Sequence, residues 1–431
     1  MAISTNLKNS LLLIIEKVFV LGLAFLNSVL LARVGGVEVF GQYSYITSYV
    51  GLFAPLCVMG LNNISTKYFV KYPRNSHHYF LSVLSIRLLG GLACIFIGGL
   101  WAYYSEQSYT FLLILVLLVM QSFTLFYVVE FYFLAQKQVK FTQRIRLGVL
   151  IVVGVSKAIV ILNGADLTTL IILHGLEFSL IGIGYLALYY GKKKNQLIRK
   201  PFSTNTSFAL FHKGKWLLLS GVAAAIYLKI DQVMLAKFSG IQEVAYYAAA
   251  VKLSEFWYVF PLLIANAYNP SLIKIKHKGE KAYYNFILKL LSVLVACAVI
   301  ICLIFWSFSD VIISIIYGQE YGKSAQILTI HIVATIFIFQ RAVLSKWLIL
   351  EKLYRFSLIT HGLGAVTNVL LNIWLIPLYG GLGAAWATLI AYTVASFLSL
   401  ILYKQTRLFM MLMCNAMLKW PYYVKQTIQK T

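Results

Sequence analysis

The sequence predicts an all-α integral membrane protein in which twelve transmembrane helices form two six-helix bundles related by an internal repeat. Three observations carry this. Of the 431 residues, 61% are hydrophobic and 12% are charged, with a mean hydropathy of +0.82, too little charge to coat a soluble globule. Twelve apolar runs are each long enough to cross about 30 Å of hydrocarbon as a helix. One stretch also occurs twice: Val29-Leu-Leu-Ala-Arg-Val-Gly-Gly-Val-Glu-Val-Phe-Gly-Gln-Tyr43 aligns without a gap with Val233-Met-Leu-Ala-Lys-Phe-Ser-Gly-Ile-Gln-Glu-Val-Ala-Tyr-Tyr247. Each copy is the end of one span, a glycine-containing turn and the start of the next. The repeating unit is therefore a membrane hairpin, and internal repeats of this kind accompany transporters.

In chain order the spans cover roughly residues 11–33, 42–65, 80–104, 109–135, 147–164, 167–190, 215–237, 245–269, 286–308, 325–349, 356–378 and 382–403. The first run has no small-residue cleavage site, so a retained span is expected rather than a signal peptide. Basic residues fall in alternate loops: Lys67, Lys71 and Arg74; Lys137, Lys140, Arg144 and Arg146; Lys192 to Lys215; Lys274 to Lys281; Lys352 and Arg355. The intervening loops carry almost none, with Lys323 the exception. By the positive-inside rule both termini face the cytoplasm. The formal net charge of +24 is then mostly this excess, which attracts anionic lipid heads at the cytoplasmic face rather than nucleic acid. The expected organisation is an N-terminal bundle over 1–190, a cytoplasmic linker over 191–214, a C-terminal bundle over 215–404 and a basic amphipathic tail over 405–431 lying along the inner leaflet.

An ionisable side chain at mid-bilayer costs at least a few kcal/mol, so each one should face a wet cavity, a partner or a substrate. Lys17, Arg87, Lys157, Lys229, Lys252 and Arg341 lie deep in spans. Each either lines a hydrated path, makes a tertiary salt bridge or snorkels; as a set they predict a cation-lined lumen, because spacing pairs few of them with carboxylates. Lys289 and Lys346 lie near the inner interface and are expected to snorkel. Glu130, Glu177, Asp231 and Glu255 are the carboxylates open to ion coupling or salt bridges. Lys252 and Glu255 share a helix face, as do His174 and Glu177, whereas Lys229 and Asp231 point to different sides. Asp231 falls opposite Asn27 in the repeat and either carries a coupling proton or sodium ion or pairs with a lysine of another span. Pro55 and Pro261, two positions apart in repeat register, each break a helix and serve either as hinges or as static kinks.

Other chemistry finds no residues to rest on. The five cysteines lack metal or disulfide spacing and read as packing residues. Gly322-Lys323-Ser324 ends like a phosphate-binding loop, but residue 317 is Tyr where the first glycine belongs. No HExxH, GxSxG or dinucleotide-binding GxGxxG pattern occurs. An enzyme is not expected, nor a cofactor, and coupling to an H+ or Na+ gradient stays open.

Three passages carry a resemblance: the repeated hairpin, with Phe40-Gly41-Gln42-Tyr43 in one half and Asp231 to Leu235 leading to Tyr246 to Leu253 in the other; Ile316-Tyr-Gly-Gln-Glu-Tyr-Gly-Lys-Ser-Ala325; and Asn372-Ile-Trp-Leu-Ile-Pro-Leu-Tyr-Gly-Gly-Leu-Gly-Ala-Ala-Trp-Ala-Thr388. Together they resemble the polysaccharide-exporter branch of the multidrug/oligosaccharidyl-lipid/polysaccharide exporter superfamily, most closely its Wzx-type O-antigen flippases. The resemblance implies two bundles facing each other in a V, as in MATE transporters, and alternating access in a bacterial inner membrane. It also implies an undecaprenyl-pyrophosphate-linked oligosaccharide as substrate, and an O-antigen polymerase and a chain-length regulator as partners in lipopolysaccharide biosynthesis. Lumen cations would offset desolvation of the pyrophosphate, and an inside-negative potential of about 100 mV favours outward movement of each negative charge by about 2.3 kcal/mol. The nearest rival is a cation-coupled multidrug exporter of the same superfamily, which would want a carboxylate-dominated cavity. A membrane glycosyltransferase or O-antigen polymerase would want a large outer loop, and the longest here, roughly Ser309 to Ser324, is short.

Overall fold

In hydrocarbon a backbone has no hydrogen-bond partner but itself, and every regular element among the described residues is helical. The structure, a computed structural model, describes residues 5–164, 166–192 and 203–428, and their side chains apart from 5–17, 354, 424 and 426–428. The chain separates into two compact units, Met1–Lys229 and Ile230–Thr431. The first contains α1 (Thr5–Val58), α2 (Asn62–Lys71), α3 (Ser76–Ser105), α4 (Ser108–Ser122), α5 (Val128–Ala135), α6 (Val139–Leu162), α7 (Leu167–Lys192) and most of α8 (Thr204–Phe238). The second contains α9 (Ile241–Glu255), α10 (Val259–Lys276), α11 (Glu280–Ile316), α12 (Lys323–His331), α13 (Thr335–Leu350), α14 (Tyr354–Tyr379), α15 (Gly381–Ser396) and α16 (Lys404–Ile428).

Among the described residues, eleven helical stretches are long and apolar enough to cross a membrane. The first, Val18–Lys71, has 54 residues, far more than the roughly 20 a crossing needs. It turns at Gly36 (φ 72°, ψ −177°) and so contains the first two spans. The protein is a multi-pass membrane protein with the twelve spans that its sequence predicts. Gly240, the repeat partner of Gly36, has φ 91° and ψ 171°. Both turns thus use a backbone conformation closed to residues with a Cβ, although nothing would touch a Cβ at either position.

Unit 1 is cored by Phe69, Phe80, Val128, Tyr132, Phe133, Tyr185 and Tyr189 from α2, α3, α5 and α7, with the Phe80 and Tyr189 rings stacked at 3.9 Å. α8 starts at Thr204, well before the span start expected near 215, and its first turns pack on α2 and α3. His78 Nε2 and Thr206 Oγ1 are 3.0 Å apart, Ser85 and Ser207 hydroxyls 3.2 Å, and Lys213 donates to the Tyr68 hydroxyl. A Cβ at Gly60, in the break between α1 and α2, would lie 2.5 Å from Leu218 N and 2.7 Å from Gly214 O. Two backbones therefore touch there, which only glycine allows.

Unit 2 is cored by Ile287, Leu291, Leu294, Phe339, Val343, Leu344, Phe409 and Met413 from α11, α13 and α16. The tail forms α16, whose Phe409, Met413 and Ala416 join the core built by α11 and α13. α11 is broken at Phe308 (φ −122°, ψ 19°), and α16 packs on the part before the break, fully burying Phe409, Met413 and Ala416. Met411, Leu418 and Tyr422 stay exposed on α16, so the helix is apolar on more than one side. At the other end of unit 2, Glu243 accepts the Gly381 N–H at 2.9 Å and pairs with Lys323 at 3.3 Å. The single basic residue out of pattern thus has a local partner.

Asp166 caps α7 by accepting the Thr169 N–H at 2.8 Å, and hydrogen bonding from Thr169 holds its carboxyl below the usual carboxylate range. Its contribution is present at neutral pH and fades as pH falls through the depressed value.

Gly36→Ala and Gly240→Ala should each destabilise the purified protein by roughly 1–3 kcal/mol, and Phe409→Ala by about 3–5 kcal/mol. All three should appear as a lowered thermal-denaturation midpoint; wild-type midpoints for the glycine variants would mean that the turns relax without strain.

Candidate functional site

The repeat sets Tyr43 and Tyr247 at the same place, seven residues beyond the positive-φ glycine of each hairpin. In unit 2 the Tyr247 hydroxyl donates to Asp231 Oδ2 at 2.6 Å. Thr388 of α15 donates to the same oxygen at 2.6 Å, and Asn372 of α14 donates to Oδ1 at 2.6 Å. The Tyr247 and Thr388 hydroxyls lie 3.0 Å apart, and Asn372 also reaches Asn368 Oδ1 at 3.1 Å. Asp231 is only 2% exposed. Its donors are all neutral, and no lysine pairs with it among the described residues. Asn372 Oδ1 and Asn368 Nδ2 are buried beside it without hydrogen bonds. The result is a carboxylate among hydroxyl and amide oxygens, chemistry suited to a proton or a hard cation.

Unit 1 uses the corresponding positions differently. Tyr43 OH lies 3.2 Å from His174 Nδ1, and Lys157 Nζ donates to His174 Nδ1 at 3.1 Å and to Glu177 Oε1 at 2.6 Å. Lys157 is the nineteenth residue of α6 and Asn372 the nineteenth of α14; His174 is the eighth residue of α7 and Thr388 the eighth of α15. The two polar clusters therefore stand on four pairs of equivalent positions, Asn27 with Asp231 completing the set. Asn27 itself bonds back to Leu23 O at 3.1 Å.

The remaining candidates disperse. Arg87, in α3, is 0% exposed and lies about 16 Å along its helix. Nη2 donates to Asn62 Oδ1 at 2.5 Å and the guanidinium lies 5.9 Å from the Phe131 ring centroid, while Nε and Nη1 have no partner. Arg341 donates to Ala395 O at 2.7 Å, Thr360 Oγ1 at 3.0 Å and His361 Nε2 at 2.9 Å, tying α13 to α14 and α15. Glu130 pairs with Arg146 at 3.0 Å. Lys229 runs beside Gly51; Lys252 and Glu255 are both half-buried on α9. Lys17 lies outside the residues whose side chains are described. Pro55 sits one turn before the break at Met59 and Gly60, where φ is 55° and 64°. Pro261 follows the 3-10 turn Phe256–Tyr258 in the first turn of α10.

Sequence reasoning missed Tyr43, Tyr247, Asn368, Asn372 and Thr388 as site residues. The signal was present: the tyrosines recur in the repeat, and Asn372 and Thr388 bound a motif that was quoted for resemblance alone. What was missing is the fold that brings residues 141 and 157 positions apart onto one carboxylate.

Removing Glu177 alone leaves Lys157 charged and buried, so Glu177→Ala should cost about 3–5 kcal/mol. The double variant Lys157→Ala, Glu177→Ala should recover part of this, and a double-mutant cycle on thermal stability reads the coupling; strict additivity would deny the pair.

Comparison with known proteins agrees with this architecture. Residues 6–267 match the family described as polysaccharide biosynthesis protein, and residues 217–374 match MatE. Two curated relatives come from Haloferax volcanii: the probable flippase AglR, 22% identical over 241 residues, 51% of this chain and 49% of that protein; and the probable low-salt glycan biosynthesis flippase Agl15, 23% identical over 225 residues, 51% of this chain and 47% of that protein. The chain thus spans about half the length of the curated relatives it matches. Two solved structures share the fold. The lipid II flippase MurJ in an inward closed conformation has a TM-score of 0.63 at 15% identity, over 96% of this chain and 92% of that one. An inward-facing multidrug resistance MATE family transporter has a TM-score of 0.68 at 13% identity, over 92% and 96%. With more than half of its residues matched, the chain belongs to the polysaccharide biosynthesis protein family of the multidrug/oligosaccharidyl-lipid/polysaccharide exporter superfamily.

Proposed function

We propose that the protein is a flippase moving undecaprenyl-pyrophosphate-linked O-antigen, or a related surface-polysaccharide repeat unit, from the cytoplasmic to the periplasmic leaflet of a bacterial inner membrane. It works by alternating access through a cation-lined lumen, with both termini cytoplasmic. The observation that carries the substrate class is Arg87, a fully buried guanidinium with two nitrogens unpartnered. A buried cation in this state demands an acceptor, and pyrophosphate oxygens answer it with charge-assisted hydrogen bonds. Family membership and the two relatives named flippases support the reaction class.

In this reading Lys17, Lys229 and Lys252 join Arg87 along the path. Lys157 and Arg341, already engaged by protein groups, contribute by exchanging partners as the substrate passes. Pro55 and Pro261 flex at the breaks beside them. Asp231 binds the coupling ion, H+ or Na+, with Asn372, Thr388 and Tyr247 as its oxygen-bearing neighbours, while Glu255, Glu130 and Glu177 balance charge. A cation-coupled multidrug exporter is the second reading, favoured by the carboxylate at Asp231 and by the MatE match over residues 217–374.

Deleting the gene should abolish the surface polymer and accumulate single lipid-linked repeats on the cytoplasmic face. Complementation with Arg87→Gln should restore protein level but less than about a tenth of the polymer, the loss of one charge-assisted hydrogen bond. Asp231→Asn should remove the dependence of export on the ion gradient. Unchanged polymer in the deletion strain, with new sensitivity to cationic dyes, selects the drug exporter instead.

A further inference from the structure

A cavity of about 390 Å³ lies at the end of unit 1 that carries its basic loops, lined by Phe69, Val70, Pro73, Ser76, Tyr132, Ala135, Gln136 and Gln138. One wall is apolar, formed by Phe69, Val70, Tyr132 and Ala135. The opposite side is where α3 and α6 begin. Ser76 is the first residue of α3 and Gln138 the cap position of α6, and neither helix has a side-chain cap or an acidic residue in its first turn. At α3 the preceding 3-10 turn Pro73–Asn75 already takes up the Ser76 amide, which donates to Pro73 O, so it is the start of α6 that offers amide N–H groups and the positive end of a helix dipole without an acidic neighbour. The Ser76 side chain is 6% exposed, lines the cavity and has no hydrogen-bond partner among the described residues.

The charge around the cavity is of one sign. Lys71, Arg74, Lys137 and Lys140 each lie within two residues of a lining residue, and no acidic residue occurs over 62–105 or 131–165. Glu130, on α5, is already neutralised by Arg146. Basic residues flanking the lining positions, the start of α6, the Ser76 hydroxyl and the amide side chains of Gln136 and Gln138 are what a phosphoryl group needs. The apolar wall suits the glycerol and chain ends of a lipid that carries one.

We propose that this cavity binds a phosphoryl anion, the headgroup phosphate of a membrane phospholipid, separately from the path taken by the exported substrate. Positive-inside bias alone predicts a diffuse attraction for anionic lipid; this site is saturable and depends on named residues.

The test uses the purified full-length chain in detergent and follows its thermal-denaturation midpoint while dihexanoyl phosphatidylglycerol, or inorganic phosphate against chloride at matched ionic strength, is titrated in. A ligand that binds only the folded state raises the midpoint in a saturable way. Saturation with phosphatidylglycerol alone identifies a lipid headgroup site; an equal, saturable response to inorganic phosphate identifies the same site with free phosphate as its ligand. In both cases Arg74→Gln with Lys137→Asn should weaken apparent affinity at least about tenfold, and Ala135→Trp, which fills the cavity without touching a charge, should abolish the response. No saturable rise with either probe, or a rise that survives both variants, overturns the proposal. Neither variant alters a residue of the export path, so polymer production in cells should stay normal and a failure here leaves the flippase reading standing.

Discussion

A polar side chain inside a membrane span must find its partner within the protein, since hydrocarbon offers none and each unsatisfied group costs several kcal/mol. The architecture of both units follows from this constraint. Asp231 collects donors from three helices, and Lys157 collects acceptors from one neighbour. Arg341 draws a freed carbonyl and two side chains to itself. Apolar packing supplies most of the contact area, but lipid tails are as apolar as the leucines they meet, so packing does not by itself fix which helix faces which. The polar clusters do, and they sit where the repeat places them.

The same constraint couples Arg87 to the broken second span. Once α1 ends at Val58, Met59 and Gly60 take up positive φ, and α2 restarts at Asn62, whose side chain receives Arg87 Nη2. Gly60 is pressed against the backbone of α8 at Gly214 and Leu218. Whatever accepts hydrogen bonds from the remaining Arg87 nitrogens therefore acts on a residue two positions from a helix break and on a backbone crossing with α8, the one helix that continues from the first unit into the second. A helix interior would resist such a pull through its i to i−4 bonds, whereas a break gives way to it.

The spans, the repeat and its glycine turns were legible because they rest on local properties: an apolar run long enough to cross, and a glycine where only positive φ makes the turn. Arg87, Lys157 and Asp231 stand out in the sequence as ionisable residues inside apolar runs, and all three are buried. Pairing was not legible. The sequence offers Lys229 two residues from Asp231, yet the carboxylate turns to a tyrosine, a threonine and an asparagine on other helices, and Lys157 finds Glu177 twenty residues away across an interhelical turn. Helix-face arguments reach three or four residues; these contacts depend on the order in which helices pack. An amphipathic basic helix such as the tail suits both a membrane surface and a protein groove, and the burial of Phe409, Met413 and Ala416 depends on the packing of α11 and α13, which the tail's own sequence does not carry.

The two clusters, equivalent in position, differ in charge, and that difference bears on where an ion can act. In unit 1 the cation and the anion both belong to the protein: Lys157 and Glu177 neutralise each other at 2.6 Å, and adding a further cation would have to displace an ammonium already in place. In unit 2 the carboxylate of Asp231 has dipoles around it but no counter-charge among the described residues. Hydrogen bonds from three neutral groups offset only part of the cost of burying a carboxylate, which is several kcal/mol even after relaxation. Beside Asp231, Asn372 Oδ1 is a further buried oxygen without a hydrogen bond among the described residues. The repeat thus sets two polar clusters on equivalent positions: with Asn27 and Lys157 the first holds a cation and an anion of its own, and with Asp231 and Asn372 the second holds a carboxylate among neutral donors.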